Sequence, residues 1–192
     1  ELIPSANDKQ TQYDALCASL AVASRVANII DEKGFVTAGV VDEWSQVYGE
    51  AISLWALCYW QLTLHFGDVP FGNENKLVTE YGLTSRFVII DNIIDELKRV
   101  EGMMYVMGEG GITTPERITR TFANALIGEI ALHAGGWQTI RTDVEGLYGD
   151  VQFEKKGVEA NGCVYARRTD WMEYIKVAED YLTRAITTHI GD

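Results

Sequence analysis

Apolar residues recur at steps of three and four in five separate segments of this 192-residue chain. The segments span about 6–33, 41–66, 84–101, 115–134 and 169–186. This spacing puts the apolar residues of each segment on one face of an α-helix, and no strand period reproduces it. Glycine follows each of the first four segments and marks a helix end. The sequence therefore predicts an all-α fold, with residues 1–192 in a single unit.

The segment 41–66 is predicted to be the central helix. Its apolar residues form two neighbouring faces, one aliphatic and one aromatic: Val47, Ala51, Leu54, Cys58 and Leu62, and beside them Trp44, Tyr48, Trp55, Tyr59 and Phe66. A helix with two apolar faces is buried on both of them. At 1.5 Å per residue it would run about 40 Å, which is enough to cross a domain of this size. We interpret its aromatic residues as packing residues.

Capping residues set the starts of the other helices. Thr84 suits the N-cap of the third helix, Pro115 the first turn of the fourth, and either Thr169 or Asp170 the N-cap of the fifth. The stripes predicted to be buried are Val88, Ile89, Ile93 and Leu97 in the third helix, and Trp171, Ile175, Ala178, Leu182 and Ile186 in the fifth.

About thirty residues between the fourth and fifth helices, 135–168, keep no helical period. We predict one long irregular loop here, with a short hairpin over 147–164 as the alternative, because Val151, Phe153 and Tyr165 have strand character. Structureless stretches this long within a compact domain are usually functional or disordered. Rings in such a loop have the backbone freedom to face outward, which makes Trp137, Tyr148 and Tyr165 candidates for ligand contact.

Charge and residue types exclude several functions. With 28 acidic and 16 basic residues the chain carries a net charge of -12, which repels a phosphate backbone, so no nucleic-acid partner is expected. No apolar run looks long enough to span a bilayer. Glu129 and His133 lie four residues apart, but nothing completes a metal set. We therefore expect no metal and no cofactor.

Catalytic patterns are also missing from the sequence. Three histidines offer few general bases, and no Ser-His-Asp, Cys-His or HExxH arrangement has a sensible context. The glycines of 108–111 follow no predicted strand and include an acidic residue, which argues against a phosphate loop. We expect a binding protein and no enzyme, while a fragment of a carbohydrate-active enzyme with paired carboxylates stays an alternative.

The helix 50–62, which leads into His65-Phe66-Gly67-Asp68-Val69-Pro70, resembles the SusD/RagB family motif of an alanine- and aromatic-rich helix ending in Phe-Gly-Asp-Val-Pro. The segments 84–97, 117–132 and 167–171 resemble the family's following helices. One departure is Trp55, which stands where the family usually carries Arg. Family members are also much longer, so the resemblance implies an incomplete helical portion. We interpret Asp68 as a structural turn residue.

The resemblance implies tetratricopeptide-like stacked helical hairpins and a non-catalytic function. Such proteins are lipid-anchored at the cell outer membrane and deliver nutrient oligosaccharides, or peptides in the RagB-like branch, to a SusC-like TonB-dependent transporter. The anchor would lie outside this chain. We expect Trp137, Tyr148, Tyr165 and Arg167 to contact ligand. A generic tetratricopeptide adaptor that binds a peptide in its groove is the rival hypothesis.

Overall fold

A computed structural model describes residues 6–72 and 82–187. Within these ranges the chain forms five helices and three strands, and it is predominantly helical as predicted. The helices are α1 (Ala6–Glu32), α2 (Glu43–Phe66), α3 (Arg86–Glu101), α4 (Arg120–Ala134) and α5 (Trp171–Thr187). The strands are β1 (Gln138–Arg141), β2 (Phe153–Ala160) and β3 (Cys163–Arg168). All three strands lie between α4 and α5.

Helix α2 is central, which confirms the prediction from its two apolar faces. It packs against α1 on one side and α3 on the other, and Trp55, Tyr59 and Ile52 are almost completely buried. The side chain of Asp42 caps its N-terminus by accepting a 2.8 Å hydrogen bond from the Ser45 amide. Two residues of the aliphatic and aromatic faces, Leu54 and Trp44, are 45% and 49% exposed, so the expectation that they pack in the core is wrong for both.

Helix α1 buries one stripe against α2 and leaves the opposite side exposed. Ala23, Ala27 and Ile30 are buried, whereas Val22 is 65% exposed. By length and composition alone, residues 8–32 are long and apolar enough to cross a membrane, so the prediction that no segment meets this criterion is wrong. Core helices of soluble proteins pass the same test.

The starts of α3 and α4 differ from the sequence predictions. Ser85, and not Thr84, caps α3, because Thr84 pairs with Val69 in a short antiparallel bridge. Helix α4 begins at Arg120 with Thr119 as its cap, five residues after the predicted start. The segment before it is irregular, and its Ile118 carbonyl accepts a 2.7 Å hydrogen bond from the Gln46 side chain of α2.

Two predicted core residues of α3 and α5 are exposed. Val88 is 41% exposed, and Ile186 is 74% exposed while Tyr181 is buried in its stead. The position of α5 is set by α4, where Gly128 allows the helices to approach closely. A Cβ atom at Gly128 would lie 2.5 Å from Cγ of Leu182. The buried stripe of α5 therefore faces this contact.

The region predicted to be an irregular loop contains an antiparallel sheet with strand order β1-β3-β2. Strands β2 and β3 form a hairpin whose turn residues, Asn161 and Gly162, have φ of 52° and 69°. Asn-Gly favours a two-residue hairpin turn because both residues accept positive φ. The inner face of the sheet, with Ile140 and Val164, packs on Phe87 of α3. The prediction of a single long irregular loop is thus wrong. The alternative, a hairpin over 147–164, is close to the structure, in which the hairpin spans residues 153–168.

Candidate functional site

The outer face of the sheet presents the side chains that carry the candidate site. Residues alternate along β3, so that Tyr165 and Arg167 lie on the outer face while Val164, Ala166 and Arg168 are buried on the inner one. Alternation follows from the two-residue period of a strand. The outer face therefore combines residues from three strands.

Cross-strand pairing brings polar side chains to Tyr165. Thr139 of β1 lies directly opposite Tyr165 on one side, and Lys156 of β2 lies opposite it on the other. Two residues along β3 from Tyr165, on the same face, Arg167 lies opposite Glu154 of β2. Residues directly opposite each other have Cβ atoms about 5 Å apart, so these side chains interact.

Four residues of this face stack in sequence, and we call them the aromatic ladder: Tyr165, Trp137, Arg167 and Trp171. The rings of Tyr165 and Trp137 are stacked, with centroids 5.4 Å apart and planes inclined by 23°. Cζ of Arg167 lies 4.9 Å from the Trp137 centroid and 3.9 Å from that of Trp171. The guanidinium thus bridges the sheet and the first turn of α5.

Tyr165 is the open end of the aromatic ladder. It is 46% exposed, while Trp137 and Trp171 are half-buried. Stacking and cation–π contacts hold the rings without a ligand, so little side-chain freedom is lost when one binds. The ladder can therefore offer a preformed apolar ring surface with polar side chains beside it.

Arg167 retains hydrogen-bonding capacity. Its Nη2 donates to Oε2 of Glu154 at 2.8 Å, and its Nε is buried without a partner among the described residues. A guanidinium has five N–H donors in a planar fork. The guanidinium therefore has more N–H donors than its hydrogen bond to Glu154 uses.

An ionic cluster around the buried side chain of Arg168 fixes the end of β3. Arg168 donates to Asp91 of α3 at 2.9 Å and to Asp170 at 2.6 Å, and Tyr174 of α5 donates to Asp91 as well. Burial opposes the charge of Arg168, but its two carboxylate partners raise its pKa. This cluster joins β3, α3 and α5, and so holds Arg167 and Trp171 in place.

Tyr148, a predicted ligand residue, lies away from the aromatic ladder. Its ring packs against Phe87 and Phe153, with centroids 5.6 and 5.5 Å away. Its hydroxyl donates to Asp68 Oδ2 at 2.9 Å and accepts from the Arg141 amide at 2.9 Å. The pKa of this hydroxyl is raised, and burial is the main cause. The structure therefore brings Trp137, Tyr165 and Arg167 together and gives Tyr148 internal partners.

Asp68 joins the end of α2 to the start of α3. Its carboxylate accepts hydrogen bonds from the Arg86 amide at 2.9 Å, from Arg86 Nε and Nη2 at 3.2 Å each, and from Tyr148. Burial opposes its ionisation, but the hydrogen bonds and charge of Arg86 outweigh burial and lower the pKa of Asp68. The partners of this carboxylate, Arg86 and Tyr148, are 18 and 80 residues away in the sequence. Asp68 therefore has a structural role, as predicted, but it connects distant segments and does not only stabilise its own turn.

Lys156 and Trp171 are the members of this face that the sequence interpretation did not select. Lys156 fell in a segment with no assigned period, and Trp171 was interpreted as a core residue of α5. The Nζ atom of Lys156 lies 5.9 Å from the Trp137 centroid. Regular pairing outward from the Asn161-Gly162 turn would place Val158 opposite Tyr165. A register shift in β2 between Lys156 and Ala160 brings Lys156 there instead, and no local pattern indicates that shift.

An apolar groove lies elsewhere, between α1 and α2. It has a volume of about 550 Å³ and is lined mainly by Ala18, Val22, Val26, Val47 and Leu54. The one carboxylate in its lining, Glu50, is paired with Arg117 at 2.8 Å. A groove with so few free polar groups does not suit a ligand rich in hydroxyl groups.

Among residues 6–72 and 82–187, no group of three or more His, Cys, Asp or Glu side chains is placed to hold a metal ion. The buried carboxylate Asp68 has a lowered pKa, whereas a general acid needs a raised one. Its contacts therefore fit a structural role.

No protein-family model matches the chain, and no curated protein matches it. Solved structures do resemble it. Surface glycan-binding protein A from Bacteroides uniformis is 17% identical, with a TM-score of 0.54, over 64% of this chain and 27% of its own. A protein crystallised with a xylogluco-oligosaccharide is 15% identical, with a TM-score of 0.59, over 92% of this chain and 29% of its own. A SusD-like protein from Bacteroides fragilis is 20% identical, with a TM-score of 0.49, over 64% and 24%.

The chain spans less than a third of the length of these three solved structures. At such identities the likeness concerns the fold alone. The predicted fold class is confirmed, with the small sheet as an addition: the chain has a SusD-like, predominantly helical fold.

Proposed function

We propose that this protein binds oligosaccharides without chemically changing them, and that the aromatic ladder is the contact surface. The observation that carries the proposal is the exposed ring of Tyr165, held by stacking on Trp137 and flanked by polar side chains. A sugar ring has an apolar face and a rim of hydroxyl groups. It therefore needs an aromatic surface next to hydrogen-bonding groups, which is the combination found here.

The resemblance and the fold support a wider proposal about delivery. The protein would sit at the cell outer membrane as a lipid-anchored protein, with its anchor outside this chain, and pass its ligand to a SusC-like TonB-dependent transporter. Of the solved proteins of similar fold, one is a surface glycan-binding protein and another was crystallised with a xylogluco-oligosaccharide. These likenesses support a carbohydrate ligand over a peptide.

The direct test is calorimetry of Tyr165→Ala with oligosaccharides that bind the intact protein. A Tyr side chain buries about 150 Å² when fully covered, and 46% of this residue is exposed, so about 70 Å² is open to a stacked sugar. At about 25 cal/mol per Å² the loss is about 1.7 kcal/mol, or roughly fifteenfold in affinity. Tyr165→Phe keeps the ring and should bind nearly as well as the original.

Trp44 provides a matched control. It is 49% exposed and also stacks on an aromatic neighbour, Phe35, with centroids 4.3 Å apart, but it lies at the start of α2. Trp44→Ala should leave affinity unchanged. Equal losses in both variants, or no loss in Tyr165→Ala with the fold intact, would exclude the ladder as the binding surface.

A peptide ligand is the second candidate, either in a RagB-like protein or in a tetratricopeptide adaptor. The apolar groove between α1 and α2 favours it, because apolar peptide side chains suit such a lining. Fractionation of the source cells separates the two hypotheses of location. Outer-membrane fractionation with the transporter co-purifying supports the delivery proposal, whereas a cytosolic protein without a transporter partner supports the adaptor.

A further inference from the structure

Two cationic side chains stand beside the exposed rings of the aromatic ladder. Nζ of Lys156 and Cζ of Arg167 lie 5.9 and 4.9 Å from the Trp137 centroid. Ammonium and guanidinium groups can donate hydrogen bonds to the hydroxyls of neutral sugars, but only an anionic ligand also gains from their full positive charge. Two cations at one ring surface therefore call for a more specific ligand than a neutral oligosaccharide.

Lys156 is exposed, and its ammonium has no carboxylate within 4.0 Å in the part of the chain that the structure describes. The nearby carboxylate, Glu154, is 2.8 Å from Nη2 of Arg167 and is committed to that guanidinium. With Lys156 and Arg167 positive and Glu154 negative, this patch carries +2 − 1 = +1. The ammonium of Lys156 is thus available to a ligand.

This local charge is opposite to that of the whole chain, which has a net charge of -12. At physiological ionic strength charges act over about 8 Å, so distant carboxylates do not cancel a cation at the surface. An anion would be repelled by most of this protein and attracted at the ladder. The contrast would orient an acidic ligand on this face.

The register also sets the position of the charge. Lys156 lies directly opposite Tyr165, and in antiparallel pairs such residues have Cβ atoms about 5 Å apart. A uronic acid carries its carboxylate directly on the pyranose ring. A ring stacked on Tyr165 therefore brings that carboxylate within reach of the lysine side chain.

We propose that the aromatic ladder together with Lys156 selects oligosaccharides that contain uronic acids over their neutral counterparts. This inference rests on the proposed function, since it names the class of sugar that the same surface takes. The rings would hold the sugar face, Lys156 would bind the carboxylate as a point charge, and Arg167 would strengthen the local positive potential.

The test is calorimetry of the intact protein with matched pairs of oligosaccharides. Oligogalacturonate, glucuronoxylan and alginate fragments are each paired with the same fragment after reduction of its carboxyl groups. At least one acidic member should bind more tightly than its reduced form, with the difference shrinking as salt is added. Lys156→Gln should lower the affinity for the acidic member about two- to fivefold, the usual size of an exposed ion pair. It should lower the affinity for the reduced member much less, because Gln removes the charge and keeps a hydrogen-bond donor.

Lys155→Gln is the control, because it removes the same charge from the adjacent residue, which lies opposite Ala166 on β3 and not opposite Tyr165. It should change neither affinity. Equal binding of acidic and reduced members, or equal effects of the two lysine variants, overturns this inference and leaves oligosaccharide binding standing. Binding of no member of any pair overturns the proposed function as well. Binding of polyglutamate as tightly as the acidic sugar, with the same dependence on Lys156, would assign the patch to acidic peptides and also overturn it.

Discussion

Replacement of Asp68 should destabilise the fold far more than the loss of an ordinary turn residue. Its side chain is 1% exposed, and it accepts hydrogen bonds from Arg86 and Tyr148. Truncation of one partner in a buried ion pair costs about 3 to 5 kcal/mol, because it leaves the other charge buried. Arg86 is 17% exposed and can partly turn to solvent, so we expect about 3 kcal/mol for Asp68→Ala.

Urea unfolding followed by circular dichroism measures this loss. Asp143→Ala is the control, since Asp143 also pairs with an arginine, Arg141, but is 50% exposed, and its replacement should cost far less stability than that of Asp68. In a double-mutant cycle of Asp68→Ala with Arg86→Met, the pair should show about 1 to 3 kcal/mol of coupling. A cost below about 1 kcal/mol for Asp68→Ala, or no coupling, would refute the view that this contact joins α2 to α3.

The remaining predictions concern packing, backbone and pH. Trp55→Ala should lower the free energy of unfolding in urea by about 3 to 5 kcal/mol, because Trp55 is completely buried. Trp44→Ala should lower it by about 1 kcal/mol, because Trp44 is half-exposed. Equal losses would contradict the different burial of the two side chains. Gly67→Ala should cost about 2 kcal/mol, since Gly67 has φ of 77° and an added Cβ would lie 2.6 Å from Nη2 of Arg86; an unchanged unfolding midpoint would show that this turn is not strained. The lowered pKa of Asp68 means that the unfolded chain binds the proton more tightly, so its contribution is complete above the ordinary value of 3.8 and is lost as pH falls through the folded value. Asp68→Asn should remove this part of the acid sensitivity in a pH series of unfolding curves; an unaltered series would contradict the assignment.

The helices could be predicted from the sequence because their signal is local. The stripe of Ala23, Ala27 and Ile30 on α1 is buried as the steps of three and four indicate. Their starts were harder, since Thr84 and Pro115 are suitable starting residues whose backbones are held by other contacts. Thr84 pairs with Val69, and the segment after Pro115 bonds to α2 through the Ile118 carbonyl.

Strand β1 was missed, and the hairpin was given only as an alternative, because the strands are short and only one face of the sheet is buried. Gln138–Arg141 has four residues, too few for a clear period, and β2 is exposed along almost its whole length. The turn Asn161-Gly162 was the strongest local signal of the hairpin. Because β3 was not assigned, the two-residue alternation that exposes Tyr165 and buries Val164 could not be applied.

The candidate site was predicted in part. Trp137, Tyr165 and Arg167 were selected because they lie outside the helical periods, and the structure stacks them together. Tyr148 met the same criterion but has an internal partner 80 residues away in Asp68, a contact that no local pattern indicates. Lys156 could be placed only from the register of β2 against β3, which is a property of the paired strands.

A crystal structure of the intact protein with a bound oligosaccharide tests the central claim most directly. The account predicts a sugar ring lying parallel to the exposed face of Tyr165, with atoms within about 4 Å of the ring, the distance of ordinary van der Waals contact. Lys156 should approach the sugar from the neighbouring strand. An oligosaccharide bound elsewhere on the protein, with the ring of Tyr165 facing solvent, would contradict the account.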